Sequence, residues 1–250
     1  MLNTTPIDRL KLIDRDMLKW TALFFMGIGH FFVYTARDFH FFGLPTPILR
    51  FFLMMEYFAP PVFFFFISEG YRYTHSKKKY FIRLLIMTLV TQIPYVLYHT
   101  YALHHTISFD ILMFFTDWNV IATLILGFIS LVIWDSSKHP AFKAAGIILC
   151  CAAGYFTEWS FFGVLFILLF YIFRERPLIR FAAYELLTAL YLIRGWNWIF
   201  FAVFSLPNIT IALFYNGEKG RSPKFSKYFF YFFYPAHLLL IYLVIILFKA

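Results

Sequence analysis

Lys19 and His30 are a cation and an imidazole set eleven residues apart in an otherwise apolar run. At helical pitch eleven steps return to within about 20° of the start and climb about 16 Å, so one helix face carries both groups. The cation then lies at a membrane edge and the imidazole near mid-bilayer, a depth at which an ionisable group marks a functional site by default. A ligand whose phosphates sit at Lys19 would reach His30 with an extended arm, and coenzyme A has that shape. The plainer alternative leaves Lys19 snorkelling to headgroups and His30 in an interhelical hydrogen bond.

Other groups with chemical potential fall along the chain. His237 stands about ten residues into the last apolar run, after Tyr234-Pro235-Ala236, at a depth near that of His30. Glu56 and Glu69 are acids on either side of Pro60-Pro61, a double proline that must kink its helix. Glu69 and Arg72 are three apart, the spacing of a local ion pair. Arg72, Lys77, Lys78, Lys79 and Arg83 form the densest basic cluster, suited to anionic lipid or to a phosphate rim. Gln92-Ile93-Pro94 interrupts the third apolar run, and Asp117 and Asn119 open the fourth as helix caps. Tyr215 to Arg221, with Asn216, Lys219 and two glycines, is a basic loop that could cradle a phosphate. His99, His104, His105 and Asp110 share an outer loop without metal-ligand spacing, so no metal site is expected. Cys150 and Cys151, adjacent in an apolar run, read as packing residues.

The elements that must position these groups follow from composition. The chain is 62% hydrophobic, 24% aromatic and 14% charged, with 37 Phe among 250 residues, the profile of an integral membrane protein. The expected fold is all-α, a polytopic transmembrane bundle forming a single domain over residues 1–250. About nine spans (range eight to ten) fall near 17–36, 48–71, 80–99, 118–134, 141–156, 159–173, 178–194, 196–215 and 227–248. The segment 100–117 has room for an extra re-entrant or surface helix. Residues 1–16 read as a cytoplasmic amphipathic segment rather than a cleavable signal, with Thr4, Thr5 and Pro6 ahead of Leu10, Leu12 and Ile13.

Loop charge orients the bundle. Alternate loops carry Arg9, Lys11 and Arg15; Arg72 to Arg83; Lys138 and Lys143; Arg174, Arg176 and Arg180; and Lys219, Arg221, Lys224 and Lys227. The remaining loops hold only Arg37, Arg50, Arg194 and Lys249, which puts the N-terminus in the cytoplasm and, for an odd span count, the C-terminus outside; the expected location is the cytoplasmic (inner) membrane. The net charge of +9 is thereby explained by cytoplasmic loops beside the lipid bilayer, and no nucleic-acid partner is expected. No internal repeat is evident, which weakens a transporter built from inverted halves.

Several motifs together resemble one family. Glu69-Gly70-Tyr71-Arg72-Tyr73-Thr74, Tyr80 to Leu85, Gln92-Ile93-Pro94, Asn119-Val120, Phe162-Gly163-Val164, Tyr215-Asn216-Gly217 and Phe233-Tyr234-Pro235-Ala236-His237 look like those of TraX family proteins, in order from about Leu18 to Tyr242. The resemblance implies an integral membrane acetyltransferase, the founding activity being N-terminal acetylation of a conjugative pilin subunit. One departure stands out: the family commonly has Asp-His in the first span, whereas this chain has Gly29-His30. Glu69, Glu56 or Asp117 would then have to supply the acid. The Lys19 to His30 spacing also resembles the basic residue, ten residues, histidine pattern of the wider acyltransferase-three group, which moves acyl chains from acyl-CoA to acceptors such as sugars.

The expected function is therefore acetyl transfer from acetyl-CoA to a peptide amine or a glycan hydroxyl. His30 serves as general base, with His237 and Glu69 as further catalytic candidates. Lys19, Arg72, Arg83, Asn216 and Lys219 are the donor-binding candidates, and Tyr234, Asn119 and Gln92 the acceptor-binding ones. A proton-coupled transporter using His30, His237, Glu56 and Glu69 is the competing reading, and a membrane scaffold the third.

Overall fold

The computed structural model describes residues 10–38, 45–195, 197–221 and 223–249. Most of the N-terminal segment, including Thr4, Thr5, Pro6 and Arg9, lies outside them, as do the side chains of Arg37, Arg194, Lys224, Lys227 and Lys249 from the charge assignment. The described residues include eleven α-helices: α1 (Arg15–Asp38), α2 (Thr46–Met55), α3 (Ala59–Tyr73), α4 (Lys77–His104), α5 (Ile111–Thr116), α6 (Val120–Asp135), α7 (Pro140–Gly154), α8 (Ser160–Ile172), α9 (Pro177–Tyr191), α10 (Trp198–Leu213) and α11 (Pro223–Lys249). Among these residues extended pairing is confined to two isolated parallel bridges, Ile13 with Tyr215 and Trp118 with Thr157.

Every expected span coincides with a helix, α2 and α3 together filling the second, and the short α5 occupies the segment left open at 100–117. Length separates the helices. Pro47–Tyr73, Lys77–His104 and Tyr228–Phe248 are long and apolar enough to cross a membrane. The apolar helices Val120–Asp135, Pro140–Gly154, Ser160–Ile172 and Trp198–Leu213 are shorter. At 1.5 Å per residue α8 is about 20 Å long, against a hydrocarbon thickness of about 30 Å, so helix length by itself does not carry a count of nine.

Two boundaries differ from the sequence reading. Pro94 does not break its helix: α4 runs through it, as apolar surroundings tolerate when neighbouring groups take up the freed carbonyl. Nor does α4 stop at residue 99. Buried Tyr98, Thr100 and Tyr101 extend its packed face, so His99 sits on the helix with its ring 4.1 Å from that of Tyr95.

The chain forms two compact units, Met1–Phe63 with Arg176–Phe230 and Phe64–Glu175 with Tyr231–Ala250. The first unit is centred on buried Leu18, Ala22, Tyr184, Phe204 and Ile211. A polar tie joins α9 to α10 there: Ser205 Oγ and Asn208 Nδ2 (2.8 Å) both donate to the Glu185 carboxylate, and Tyr184 donates to the Phe204 carbonyl at 2.7 Å. The second unit has an aromatic core in which Phe64 stacks on Phe166 at 6.0 Å and Tyr71 meets Phe128 edge-on. Its helices α6 and α8 approach through small residues. A Cβ on Gly163 would lie 2.3 Å from Thr123 Cγ2 and one on Gly127 2.2 Å from Ile167 Cδ1, the close packing by which helices associate in lipid.

Candidate active site

In the first unit, α1 begins where Asp14 Oδ1 accepts the Met17 amide at 2.8 Å, an acidic cap of the kind that starts helices. The residues just before it are clipped to the loop after α10. Ile13 donates to the Phe214 carbonyl at 2.9 Å, Asn216 to that of Ile13 at 3.0 Å, and Arg15 to that of Glu218 at 3.0 Å. Gly217 and Gly220 take positive φ in this loop, 80° and 77°. Three expected donor-binding residues, Lys19, Asn216 and Lys219, thus gather at the N-terminal end of α1. The Lys19 ammonium lies 5.1 Å from the centre of the Phe230 ring, and Trp20 packs on Phe229 at 4.6 Å.

Farther along α1, His30 Nε2 faces Glu56 Oε2 at 3.9 Å, with side chains 13% and 22% exposed. The local sequence explains how Glu56 arrives there. Pro60 and Pro61 have no N–H to give the carbonyls of Glu56 and Tyr57, so an α-helical ladder cannot pass this point. The backbone tightens into a 3-10 turn at Glu56–Phe58, where the Ala59 amide bonds the Glu56 carbonyl instead. Tyr57 anchors the turn edge-on against Phe200 of α10 at 5.5 Å. On the other side, α1 presents Gly29. A Cβ there would stand 2.4 Å from Glu56 Cβ and 2.7 Å from its amide nitrogen, closer than atoms can pack, so only glycine admits the turn. Of the three acids left open by the sequence, Glu56 shares a unit with His30 and stands beside it; Glu69 and Asp117 belong to the second unit.

The acceptor-side candidates Gln92, Asn119 and Tyr234 belong to the second unit and meet around the turn that opens α6. Gln92 Nε2 donates to the carbonyls of Phe114 (3.2 Å) and Asp117 (2.8 Å), while its Oε1 accepts from Asn119 Nδ2 at 2.8 Å. Asn119, fully buried, caps α6 by accepting the Ile121 amide at 3.0 Å, the capping role its position implied. Both amides are committed to this turn. The sequence reading passed over Glu158, on the connector between α7 and α8. Its Oε2 accepts the Val120 amide at 3.0 Å and the Tyr234 hydroxyl at 3.4 Å. Desolvation by burial, reinforced by the nearby Asp117 carboxylate, pushes Glu158 up to about 7 from 4.5, against the two donors. Asp117 is likewise raised by burial, opposed by a hydrogen bond from Tyr95. His237 Nδ1 lies 2.9 Å from the Phe233 carbonyl; a carbonyl only accepts, so this nitrogen carries the hydrogen.

The remaining basic candidates also lie in the second unit. Arg72 pairs with Glu175 at 3.3 Å, and the Arg83 guanidinium lies over the Tyr80 ring at 5.5 Å with its buried Nε unpartnered. Beside Arg72, the hydroxyls of Tyr71 (3.0 Å) and Tyr171 (2.7 Å) both donate to Asp135 Oδ2, and Lys77 Nζ donates to Tyr71 at 2.6 Å. Asp135 is a second acid that the sequence reading missed. An acid between an apolar run and a basic loop was the available signal for it, and for Glu158 an acid in the short link between two apolar runs. Half-buried Glu69 stands one turn before this cluster on α3. Among the described residues no three His, Cys, Asp or Glu side chains group as metal ligands.

Fold and site together define a protein whose described residues are helical, with helices of membrane-spanning length and a half-buried histidine–carboxylate pair. The chain belongs to the TraX protein family, which it matches over residues 14–245. It is also similar to the "Probable fimbrial assembly protein FimC, serogroup H1" of Dichelobacter nodosus, 28% identical over 195 residues that span 72% of this chain and 77% of that protein. No solved structure gives a significant match.

Proposed function

We propose that this protein is a multi-pass inner-membrane acetyltransferase, of nine spans with a cytoplasmic N-terminus, that carries an acetyl group from acetyl-CoA to an amine or hydroxyl acceptor. The observation that carries this reading is the His30–Glu56 pair at 3.9 Å, an imidazole beside a carboxylate on the helix whose other end holds Lys19 and the loop of Asn216 and Lys219. On this reading the ammonium groups of Lys19 and Lys219 at that end meet the donor's phosphates. His30 takes the proton of the acceptor as its nitrogen or oxygen attacks the thioester carbonyl carbon. As the C–S bond breaks, the same proton passes to the leaving thiolate, giving acetylated acceptor and free CoA thiol.

For the second unit we propose the supporting roles its residues suggested: Arg72 and Arg83 toward anionic groups, Glu69 and His237 as further acid–base groups, and Tyr234 toward the acceptor. Gln92 and Asn119 act by holding the α6 turn on which Tyr234 and Glu158 converge. Membership of the TraX family and the likeness to a fimbrial assembly protein favour the amine of a pilin-like peptide as acceptor. The test uses purified protein in liposomes with radiolabelled acetyl-CoA and a peptide bearing a free N-terminus. Peptide labelling with stoichiometric thiol release is expected; His30→Ala should abolish both while CoA binding persists. Retained turnover in His30→Ala overturns the assignment, and solute movement without acetyl-CoA would establish the transporter reading instead.

A further inference from the structure

Three independent features deliver one carboxylate to one ring nitrogen. The double proline forces the 3-10 turn, Tyr57 fixes the turn against α10, and Gly29 leaves the space that Glu56 occupies. A neutral imidazole carries a single N–H, and an anion within 4 Å of one nitrogen draws the hydrogen to that nitrogen. We infer that Glu56 is the positioning residue for His30, holding it as the Nε2–H tautomer so that Nδ1 receives the acceptor's proton.

The inference rests on the acetyl-transfer reading and adds to it the choice of nitrogen. Nε2 keeps its hydrogen throughout and Glu56 stays ionised; the proton that moves comes from the acceptor, resides on Nδ1 and leaves with the thiolate sulfur. At 3.9 Å the contact exceeds hydrogen-bond length, as is common before substrate tightens such a pair. Glu56 touches no reacting atom in this scheme. Its effect runs through the ring it orients.

The test is nitrogen NMR of the whole protein, 15N-labelled at histidine, with the His30 signals identified by their loss in His30→Gln. Wild type is expected to show the Nε2–H pattern at His30. Glu56→Gln, which keeps volume and removes charge, should convert it to a mixture of tautomers, and Gly29→Ala, which pushes the turn away while leaving the carboxylate chemically unchanged, should do the same. In kinetics Glu56→Gln should lower kcat about 10- to 100-fold while leaving KM for acetyl-CoA within about 2-fold, and Glu56→Asp should recover part of the loss. An Nδ1–H pattern in wild type, or a tautomer ratio unchanged in Glu56→Gln, overturns the inference. The tautomer is read without turnover, so a His30→Ala protein that still releases thiol would remove the acetyl-transfer reading and leave the spectroscopic result standing.

Discussion

Glu158 accepts the Val120 amide at 3.0 Å and the Tyr234 hydroxyl at 3.4 Å, while Glu56 faces the His30 imidazole across 3.9 Å. Both acids sit among apolar helices and both adjoin a histidine-bearing helix. Glu158 closes the start of α6 and is tied by two donors to backbone and side chain. Glu56 rides on a turn that two prolines deprive of regular helical bonding, opposite a residue chosen for having no side chain. On the proposed reading this difference separates a polar group that serves the fold, bonded to a backbone amide and a hydroxyl, from one that serves chemistry, facing an imidazole at a distance that substrate would close.

The sharpest way to break this comparison is to remove each acid–base group in turn. His30→Ala is expected to lower thiol release by about 10³-fold or more with folding intact, since general-base catalysis alone contributes about 10²–10⁴. Glu158→Gln should keep turnover within an order of magnitude, because a side-chain carbonyl can still cap Val120. If the two variants exchange these outcomes, the assignment of roles is reversed.

Titration gives the next largest effect. Glu158 is raised in the folded protein from 4.5 to about 7, so the native state holds its proton more tightly than the unfolded chain does. The resulting stability is full below pH 4.5 and is lost as pH rises through about 7. A shift of this size is worth at most about 3 to 4 kcal/mol. Thermal unfolding in detergent should therefore show a higher midpoint at pH 5 than at pH 8, and Glu158→Gln should flatten that dependence.

Truncation follows. Glu158→Ala leaves the Val120 amide and the Tyr234 hydroxyl without their acceptor and is expected to destabilise the second unit by about 2 kcal/mol, measured by denaturation at pH 6. The smallest effect falls at the far end of α1. Lys19→Met should raise KM for acetyl-CoA about 5- to 10-fold with kcat nearly unchanged, while Lys19→Arg stays close to wild type. An unchanged KM would remove Lys19 from donor binding.

Much of the helical layout was legible because apolar runs and basic loops alternate along the chain, and helix formation in lipid follows that alternation closely. The caps at Asn119 and the kink at Pro60-Pro61 were legible for local reasons, a capping side chain and two missing amides. The partner of His30 was not. Glu56 is 26 residues away, and nothing in sequence spacing fixes the roll of one helix against another; Gly29 could be read as the loss of an acid but not as room for one. Glu158 was overlooked for the opposite reason: in the link between two apolar runs it resembles a solvated loop acid, and only the bridge between Trp118 and Thr157 folds it inward.

The pairing of Ile13 and Arg15 with the loop at 214–218 has a consequence for biogenesis. Its two sides are separated by about 200 residues of chain, and at about 5–20 residues per second the second side is made roughly 10–40 s after the first. The whole of Phe64–Glu175 is synthesised within that interval, and its helices α6 and α8 pack on each other inside that stretch. The second unit can thus begin to assemble while the start of α1 waits for its closing loop. A ribosome-bound chain arrested before residue 214 should carry a protected α6–α8 core and an accessible Lys19; release of the full chain should protect Lys19 last.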